Sequence, residues 1–391
     1  MQKSHGIDFY PSYDIIRNGV IIEHREDNID LPQESKIIIQ NPKRPEHNVI
    51  ELPFRSFLGN AYRFLARGFG LPMSALHTDG GTSFYAGGNN ALASGRDYSG
   101  IQVGTGNSAT TPNTYCLDAL IMEGTFTKAT TIRNIPTGIG STRTIRFTRN
   151  MINATAGDVS VAELGLSIAT NPSDLINASF MLTRDVFSSP VVIASADSRN
   201  FRIDISVTKN ATKSFSENYL KGFYNNFNPS TMLDLIDTDG TVAQPESTNK
   251  SGFYEQGGSP TYRFGASAGD STFGILVGTG STAPDYADLS CGVTIPHSAN
   301  FSYGSCKSGD SGYAFTDATI DGQDTYFIAN RQFINVSLGS TTIKEYAIVS
   351  DFSSGSTPGR MLCRGLINGG MGVTLENGDI LVLYVKFKLT S

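Results

Sequence analysis

Hydrophobic positions along this chain follow two periods. Phe54, Phe57, Leu58, Ala61, Phe64 and Leu65 recur at three- and four-residue spacing. That stripe predicts a short amphipathic helix, ended by Gly68-Phe69-Gly70 before Pro72. A second helix is expected where Tyr219-Leu220-Lys221-Gly222-Phe223-Tyr224 resembles Phe57-Leu58-Gly59-Asn60-Ala61-Tyr62. Elsewhere the period is two. Lys36-Ile37-Ile38-Ile39-Gln40, Thr144–Phe147, Val159–Val161, Leu164–Leu166, Phe201–Val207 and Ile380–Phe387 read as strands bounded by Gly, Asn, Asp, Ser and Pro. Short strands at this spacing close into sandwiches or jelly rolls, so the fold is expected to be mainly β.

The pattern also repeats. Gly100-Ile101-Gln102-Val103-Gly104-Thr105-Gly106 returns as Gly274-Ile275-Leu276-Val277-Gly278-Thr279-Gly280, displaced by 174 positions (274 − 100). Arg149, Asn153, Gly157, Val161, Glu163 and Leu166 return as Arg331, Asn335, Gly339, Ile343, Glu345 and Ile348, displaced by 182 (331 − 149). Met181-Leu182-Thr183-Arg184 then matches Met361-Leu362-Cys363-Arg364, and upstream Asp79-Gly80 resembles Asp239-Gly240. A duplicated unit fixes the architecture before any local motif does. The expectation is two tandem jelly-roll-like sandwiches, each preceded by a short amphipathic helix, over residues 50–210 and 211–391. Residues 1–49, of mixed charge and carrying Pro11, Pro32, Pro42 and Pro45, read as an extended N-terminal arm that becomes ordered against a neighbour.

Composition narrows the function classes. At 391 residues two domains are the default, and 41 glycines, 17% charged residues and no tryptophan fit a loop-rich β protein. A net charge of −6 supplies no basic field for nucleic acid. No apolar h-region opens the chain and no stretch approaches the length of a membrane span, so neither a signal peptide nor a span is expected, and synthesis and retention in a cytoplasm are. Cys116, Cys291, Cys306 and Cys363 lie far apart without CxxC spacing and read as small buried hydrophobes. Asn-x-Ser/Thr sequons at Asn153, Asn177, Asn210, Asn249, Asn300 and Asn335 read as Asn-rich turns.

Several strings could carry chemistry. Cys306-Lys307-Ser308-Gly309-Asp310-Ser311-Gly312 contains the Gly-Asp-Ser-Gly that surrounds a protease nucleophile, but only His297 lies near it in sequence, and a Gly/Ser-rich turn explains it. The turns holding Gly104, Gly106, Gly278 and Gly280 lack the Lys-Ser/Thr ending of a phosphate loop, and a requirement for positive φ accounts for them. Asp234, Asp237 and Asp239 lack the distal glutamate of an EF-hand and read as a solvated loop. Tyr219, Tyr224, Asn225 and Asn226 could face a sugar, though the strongest stacking residue, Trp, is missing. Glu163 and Glu345 sit among apolar strand residues, with Arg149 or Arg331 and Arg184 or Arg364 as partners. Their recurrence at one place in both copies points to paired structural charges. No catalytic residue, metal or cofactor is assigned.

Together these landmarks resemble a family of bacteriophage structural proteins encoded among virion genes and often labelled tail or tail-fibre proteins. The residues that carry the likeness are Ser56–Leu65, Ile101–Gly106, Tyr115-Cys116-Leu117 with Ile121, Arg146–Asn150, Val161–Leu166, and Leu182–Val186 followed by Ser189-Pro190-Val191. It covers most of residues 50–210 and returns, more diverged, over 213–391, with a longer loop around 303–325. What it implies is a non-enzymatic virion component in the tail, neck or capsid periphery, made in a host cytoplasm. Its partners would be copies of itself and other virion proteins, without nucleic acid or membrane. The alternative is a receptor- or glycan-binding fibre module using the 303–325 loop.

Overall fold

The computed structural model describes residues 7–17, 20–26, 36–40, 50–53, 76–77, 83–84, 100–110, 114, 116–122, 124–128, 132–137, 142–169, 179–226, 233–240, 242–243, 266–306, 319–321, 324–350 and 359–390. The first expected helix, Asp79-Gly80 and the Gly-Asp-Ser-Gly string lie outside them. The protein is mainly β, in several antiparallel sheets.

The N-terminal segment forms β1 (Ile7–Arg17), β2 (Val20–Glu26), β3 (Lys36–Gln40) and β4 (Ile50–Pro53), with short β5 (Leu76–His77) and β6 (Ser83–Phe84) after them. The first half continues as β7 (Gly100–Gly104), β8 (Phe126–Lys128), β9 (Ile132–Thr137), β10 (Thr142–Asn153), β11 (Val159–Ala169), β12 (Ser179–Ile193) and β13 (Ser198–Thr208). In the second half β14 (Lys213–Phe215) leads into a helix, Glu217–Asn226, where one is expected, and short β15 (Leu235–Ile236) and β16 (Val242–Ala243) follow. The remaining strands are β17 (Gly274–Gly278), β18 (Phe301–Tyr303), β19 (Thr319–Asp321), β20 (Asp324–Asn335), β21 (Thr341–Ile343), β22 (Glu345–Ser350), β23 (Arg360–Leu366), β24 (Val373–Leu375) and β25 (Ile380–Thr390).

Two sheets share one order. The first runs β4-β3-β13-β10-β8 with β9 also on β10; the second runs β2-β1-β25-β20-β18 with β19 also on β20. A smaller sheet, β12-β11-β7, has its counterpart in β23-β22-β17, which β14 extends. Val159 opposite Ile193 becomes Thr341 opposite Leu375, so the hairpin of β11 and β12 is repeated by β21 to β24. Period-two alternation decides which face is buried. On β10 Ile145, Phe147, Arg149, Met151 and Asn153 point inward, and on β25 Leu381, Leu383 and Val385 do so. Each fully buried apolar side chain contributes about 1.5–3 kcal/mol over exposure, which fixes the register, because a slip of one residue would turn the whole set outward.

The N-terminal segment departs from the sequence expectation. Within the single chain its described strands are already paired. They complete the chain's own sheets, β1 pairing with β25 from Ile7 opposite Leu389 to Ile16 opposite Ile380, and β3 pairing with β13. The 49/50 boundary also falls inside a hairpin, since β3 pairs with β4. Extended sheet edges need only a partner backbone and a strand-forming run, which Ile37-Ile38-Ile39 supplies without resembling β1.

The asparagines of the repeat hold turns. Asn153 Nδ2 donates to the carbonyls of Gly157 and Ile193, and its Oδ1 accepts from Thr155 N and Oγ1. Asn335 does the same with Gly339, Leu375 and Ser337. Both are buried with their bonding capacity used, and Asn210 likewise closes a turn through Thr212 and Lys213, so these sequons are turn residues. The following turn is also repeated: Ala196 N donates to Asn153 O as Gly378 N does to Asn335 O. Gly378 has φ 84° and Ala196 has φ 59°, a conformation that costs a side chain with Cβ about 1–2 kcal/mol. Ala196→Gly is therefore expected to be stabilising by up to about 1 kcal/mol after glycine's extra chain entropy is deducted, read as a higher denaturation midpoint. A lower midpoint would contradict the strain.

The halves touch through Tyr286. Its hydroxyl donates to Val207 O at 3.1 Å, the Arg143 guanidinium lies 4.5 Å above its ring, and neighbouring Asp285 pairs with Lys209. Among the described residues no helix is long and apolar enough to cross a membrane.

Candidate functional site

Each half buries a carboxylate on the strand beside the Gly-Thr-Gly turn. Glu163 lies on β11 opposite Gly104 of β7, and beyond β7 the chain doubles back so that Thr105 N donates to Ala119 O and Ile121 N to Val103 O. That return aims backbone N–H groups at the carboxylate. Oε1 accepts from Gly106 N (3.0 Å) and Ala119 N (2.9 Å), and Oε2 from Asp118 N (3.1 Å) and Arg184 Nε (2.7 Å). Arg184, on β12 and buried, also meets Asp118 Oδ2 at 2.7 Å. Ser108 donates to that same Asp118 carboxylate.

The second half rebuilds this centre. Glu345 on β22 lies opposite Gly278 of β17; Thr279 N donates to Val293 O and Ile295 N to Val277 O. Oε1 accepts from Gly280 N (2.8 Å) and Val293 N (2.9 Å), and Oε2 from Gly292 N (3.0 Å) and Arg364 Nε (2.7 Å). Arg364 continues to Asp288 Oδ2 at 2.6 Å and to Thr282 O and Oγ1. Burial alone pushes the Glu345 carboxyl up, but the N–H groups of Val293 and Gly292 and the Arg364 guanidinium outweigh it, so the group titrates below its ordinary range. Burial and the Glu345 charge push the adjacent Cys291 thiol well up, which keeps it a neutral hydrophobe.

The sequence assigns the turn glycines to positive φ, and the structure corrects this. Gly104, Gly106, Gly278 and Gly280 are not left-handed; Gly100 and Gly274, which open the same strands, are, at φ 84° and 85°. What the four require is space. A Cβ at Gly104 would sit 2.7 Å from Ala119 O and against Glu163 Oε1, and one at Gly106 or Gly278 would lie 2.6 Å from the carboxylate oxygen. At Gly280 it would lie 2.9 Å from Glu345 Cδ. A bare backbone is what lets the turn approach the carboxylate closely enough to donate.

The arginines divide their work differently from the sequence expectation. Arg184 and Arg364 pair with the glutamates, whereas Arg149 and Arg331 bond carbonyls on the facing strand. Arg149 Nη1 donates to Ile101 O at 2.9 Å, linking β10 to β7, and Arg331 Nη1 donates to Ile275 O at the same distance. Arg331 also donates to the carbonyls of Gly304, Phe273, Ser267 and Asp270, and lies 4.6 Å from the Tyr303 ring centroid. Five fixed donors suit a ring of carbonyls as well as a carboxylate.

Each glutamate accepts four donors, which fills the acceptor positions of a carboxylate and leaves none for a substrate proton. The chemistry available is anchoring: the turn, the strand and the next strand are bound to one charge. Asp118, Asp288 and Thr282 complete the centres and are not singled out by the repeat. Of the other candidates, Asp237 pairs with Arg360 at 2.7 Å, and His297 Nδ1 accepts from Tyr303 N at 3.3 Å. Ser311 and most of the 303–325 loop lie outside the described residues. Tyr219, expected on a sugar-facing surface, is instead buried in the core, because the helix turns it onto Phe215. Cys291, Cys306 and Cys363 are buried free thiols and Cys116 is half-buried. Among the described residues no group of three or more His, Cys, Asp or Glu is placed to hold a metal ion. Comparison with protein families, with curated proteins and with solved structures finds no match to this chain.

Proposed function

We propose that this chain is a non-enzymatic structural component of a bacteriophage virion, in the tail, neck or capsid periphery, acting through assembly contacts with copies of itself and other virion proteins. The observation that carries the reading is the doubled Glu–Arg centre, in which buried charged groups hold backbone in place at equivalent positions of both halves. A particle protein needs rigidity and many weak contacts rather than turnover, and duplication supplies two similar surfaces per chain. The resemblance of Ser56–Leu65, Ile101–Gly106 and Val161–Leu166 to phage structural proteins supports the same reading, as does the mainly β fold, which we read as two jelly-roll-like sandwiches.

Quantitative mass spectrometry of purified particles, normalised to the major capsid protein, tests this. Hundreds of copies per particle would support a lattice or decoration role, and about six to a few dozen a ring or fibre set by cyclic symmetry. Absence from the particle overturns the proposal.

A further inference from the structure

The second half contains a socket that its own sequence does not fill. Its sheet ends at β25, whose outer edge is covered by β1, a strand from the other end of the chain, over the ten-residue register Ile7–Ile16 against Leu389–Ile380. The same position in the first half, the outer edge of β13, is covered by β3. Both hairpins come from the first 53 residues, and they are used in crossed order: β1 and β2 complete the second half, β3 and β4 the first.

A side-chain contact singles out the β25 site. Asp197 and Asp379 are equivalent turn residues, since Asn153 N donates to Asp197 O as Asn335 N does to Asp379 O. Asp197 meets a cation of its own strand, Arg199, at 3.2 Å. Asp379, only 1% exposed in its side chain, instead takes Arg17 at the end of β1, through Nε and Nη2, both at 2.8 Å. Arg17 holds the Asp379 carboxyl below its ordinary range. Without β1 the second half would present an open strand edge and a buried carboxylate without this counter-ion.

We propose that this socket is an intersubunit joint: in the assembled protein the β1–β2 hairpin is donated to β25 and Asp379 of a second copy of the chain. This rests on the assembly reading above and names its partner. Exchange keeps every backbone pair and the Arg17–Asp379 bridge, so it costs no contact and is governed by the local concentration of copies. Ten chain steps separate Glu26 from Lys36 and span at most about 35 Å, which sets the reach of a donated hairpin. Each copy then gives one hairpin and receives one, which propagates a ring or a row.

Chains carrying one introduced cysteine decide the matter. Ile16 and Ile380 are opposed across β1 and β25 and half-exposed, at a separation that strand pairing places within disulfide range. In a background with Cys116→Ser, full-length Ile16→Cys and full-length Ile380→Cys chains are mixed, brought to assembly concentration and oxidised. A covalent dimer containing one of each chain is the expected product, and Arg17→Ala in the Ile16→Cys chain should reduce its yield several-fold. The Ile16→Cys/Ile380→Cys double variant is the control. If it closes within one chain at high concentration while the mixed chains never cross-link, β1 stays at home and the proposal is overturned. If neither pair forms a disulfide, β1 does not lie on β25 and the proposal is equally overturned. A particle that holds this protein in many copies without cross-linking would leave the virion role standing and remove the joint alone.

Discussion

Glu345→Gln is expected to lower the unfolding free energy by about 3–5 kcal/mol, although it changes no atom's position and removes one charge. The amide can still accept from Gly280 N and Val293 N on its oxygen. Its nitrogen, however, would face two donors, Gly292 N at 3.0 Å and Arg364 Nε at 2.7 Å, on a side chain that is itself fully buried. Flipping the amide only moves the conflict to the other pair. Arg364 would keep Asp288 but lose the buried half of its charge compensation. The pH dependence identifies the cause. Because the folded carboxyl titrates below its unfolded value, its contribution is fully present above about pH 4.5 and is lost as pH falls through the folded value. Wild type and Glu345→Gln should therefore differ fully at neutral pH and converge only in acid. Denaturation followed by far-UV circular dichroism measures this, and a difference unchanged down to pH 2 would exclude the charge as its origin.

Comparing the two copies of the repeat finds Glu163, Glu345, Arg184 and Arg364 because both copies place them at one position of the strand pair. It could not find Asp118 and Asp288. The residue 174 places beyond Asp118 is Gly292, and the residue 174 places before Asp288 is Thr114, so the counter-charge on each arginine arises from a different point of the same loop. A charge needs a distance rather than a position, and two loops can meet it in two ways. The role of Arg149 and Arg331 was hidden for a related reason: a buried cation calls for a carboxylate only when no ring of carbonyls is at hand, and carbonyls leave no mark in a sequence. The N-terminal hairpins escaped because edge pairing is made by backbone. Tyr13 opposite Leu383 and Ile39 opposite Phe201 occupy equal places in the two sheets without being alike. A strand-like run is legible in Lys36–Gln40, but not which edge it covers.

Glycine shows the same limit in its sharpest form, and it yields the second large effect. Gly278 and Gly339 both recur in the repeat, as Gly104 and Gly157, and from sequence they are equally strong candidates for a special backbone. Their surroundings differ completely. A Cβ at Gly278 would lie 2.5 Å from Val293 O and 2.6 Å from Glu345 Oε1, inside the contact that lets the Gly-Thr-Gly turn reach the carboxylate. Neither neighbour can yield: the carbonyl accepts Thr279 N, and the carboxylate is fixed by four donors. Gly278→Ala must push β17 away from the centre and is expected to cost about 3 kcal/mol or more, at the upper end of overpacking because it breaks hydrogen bonds to a buried charge as well. A Cβ at Gly339 meets nothing within 4 Å and its φ is not left-handed, so Gly339→Ala should be neutral or stabilising by about 0.4–1 kcal/mol through the unfolded chain. Paired denaturation curves for the two variants give opposite signs if close approach to Glu345 is what the turn glycines serve. A comparable loss at both sites would mean that glycine is required for chain flexibility instead, and the anchoring role of the carboxylate would lose its steric support.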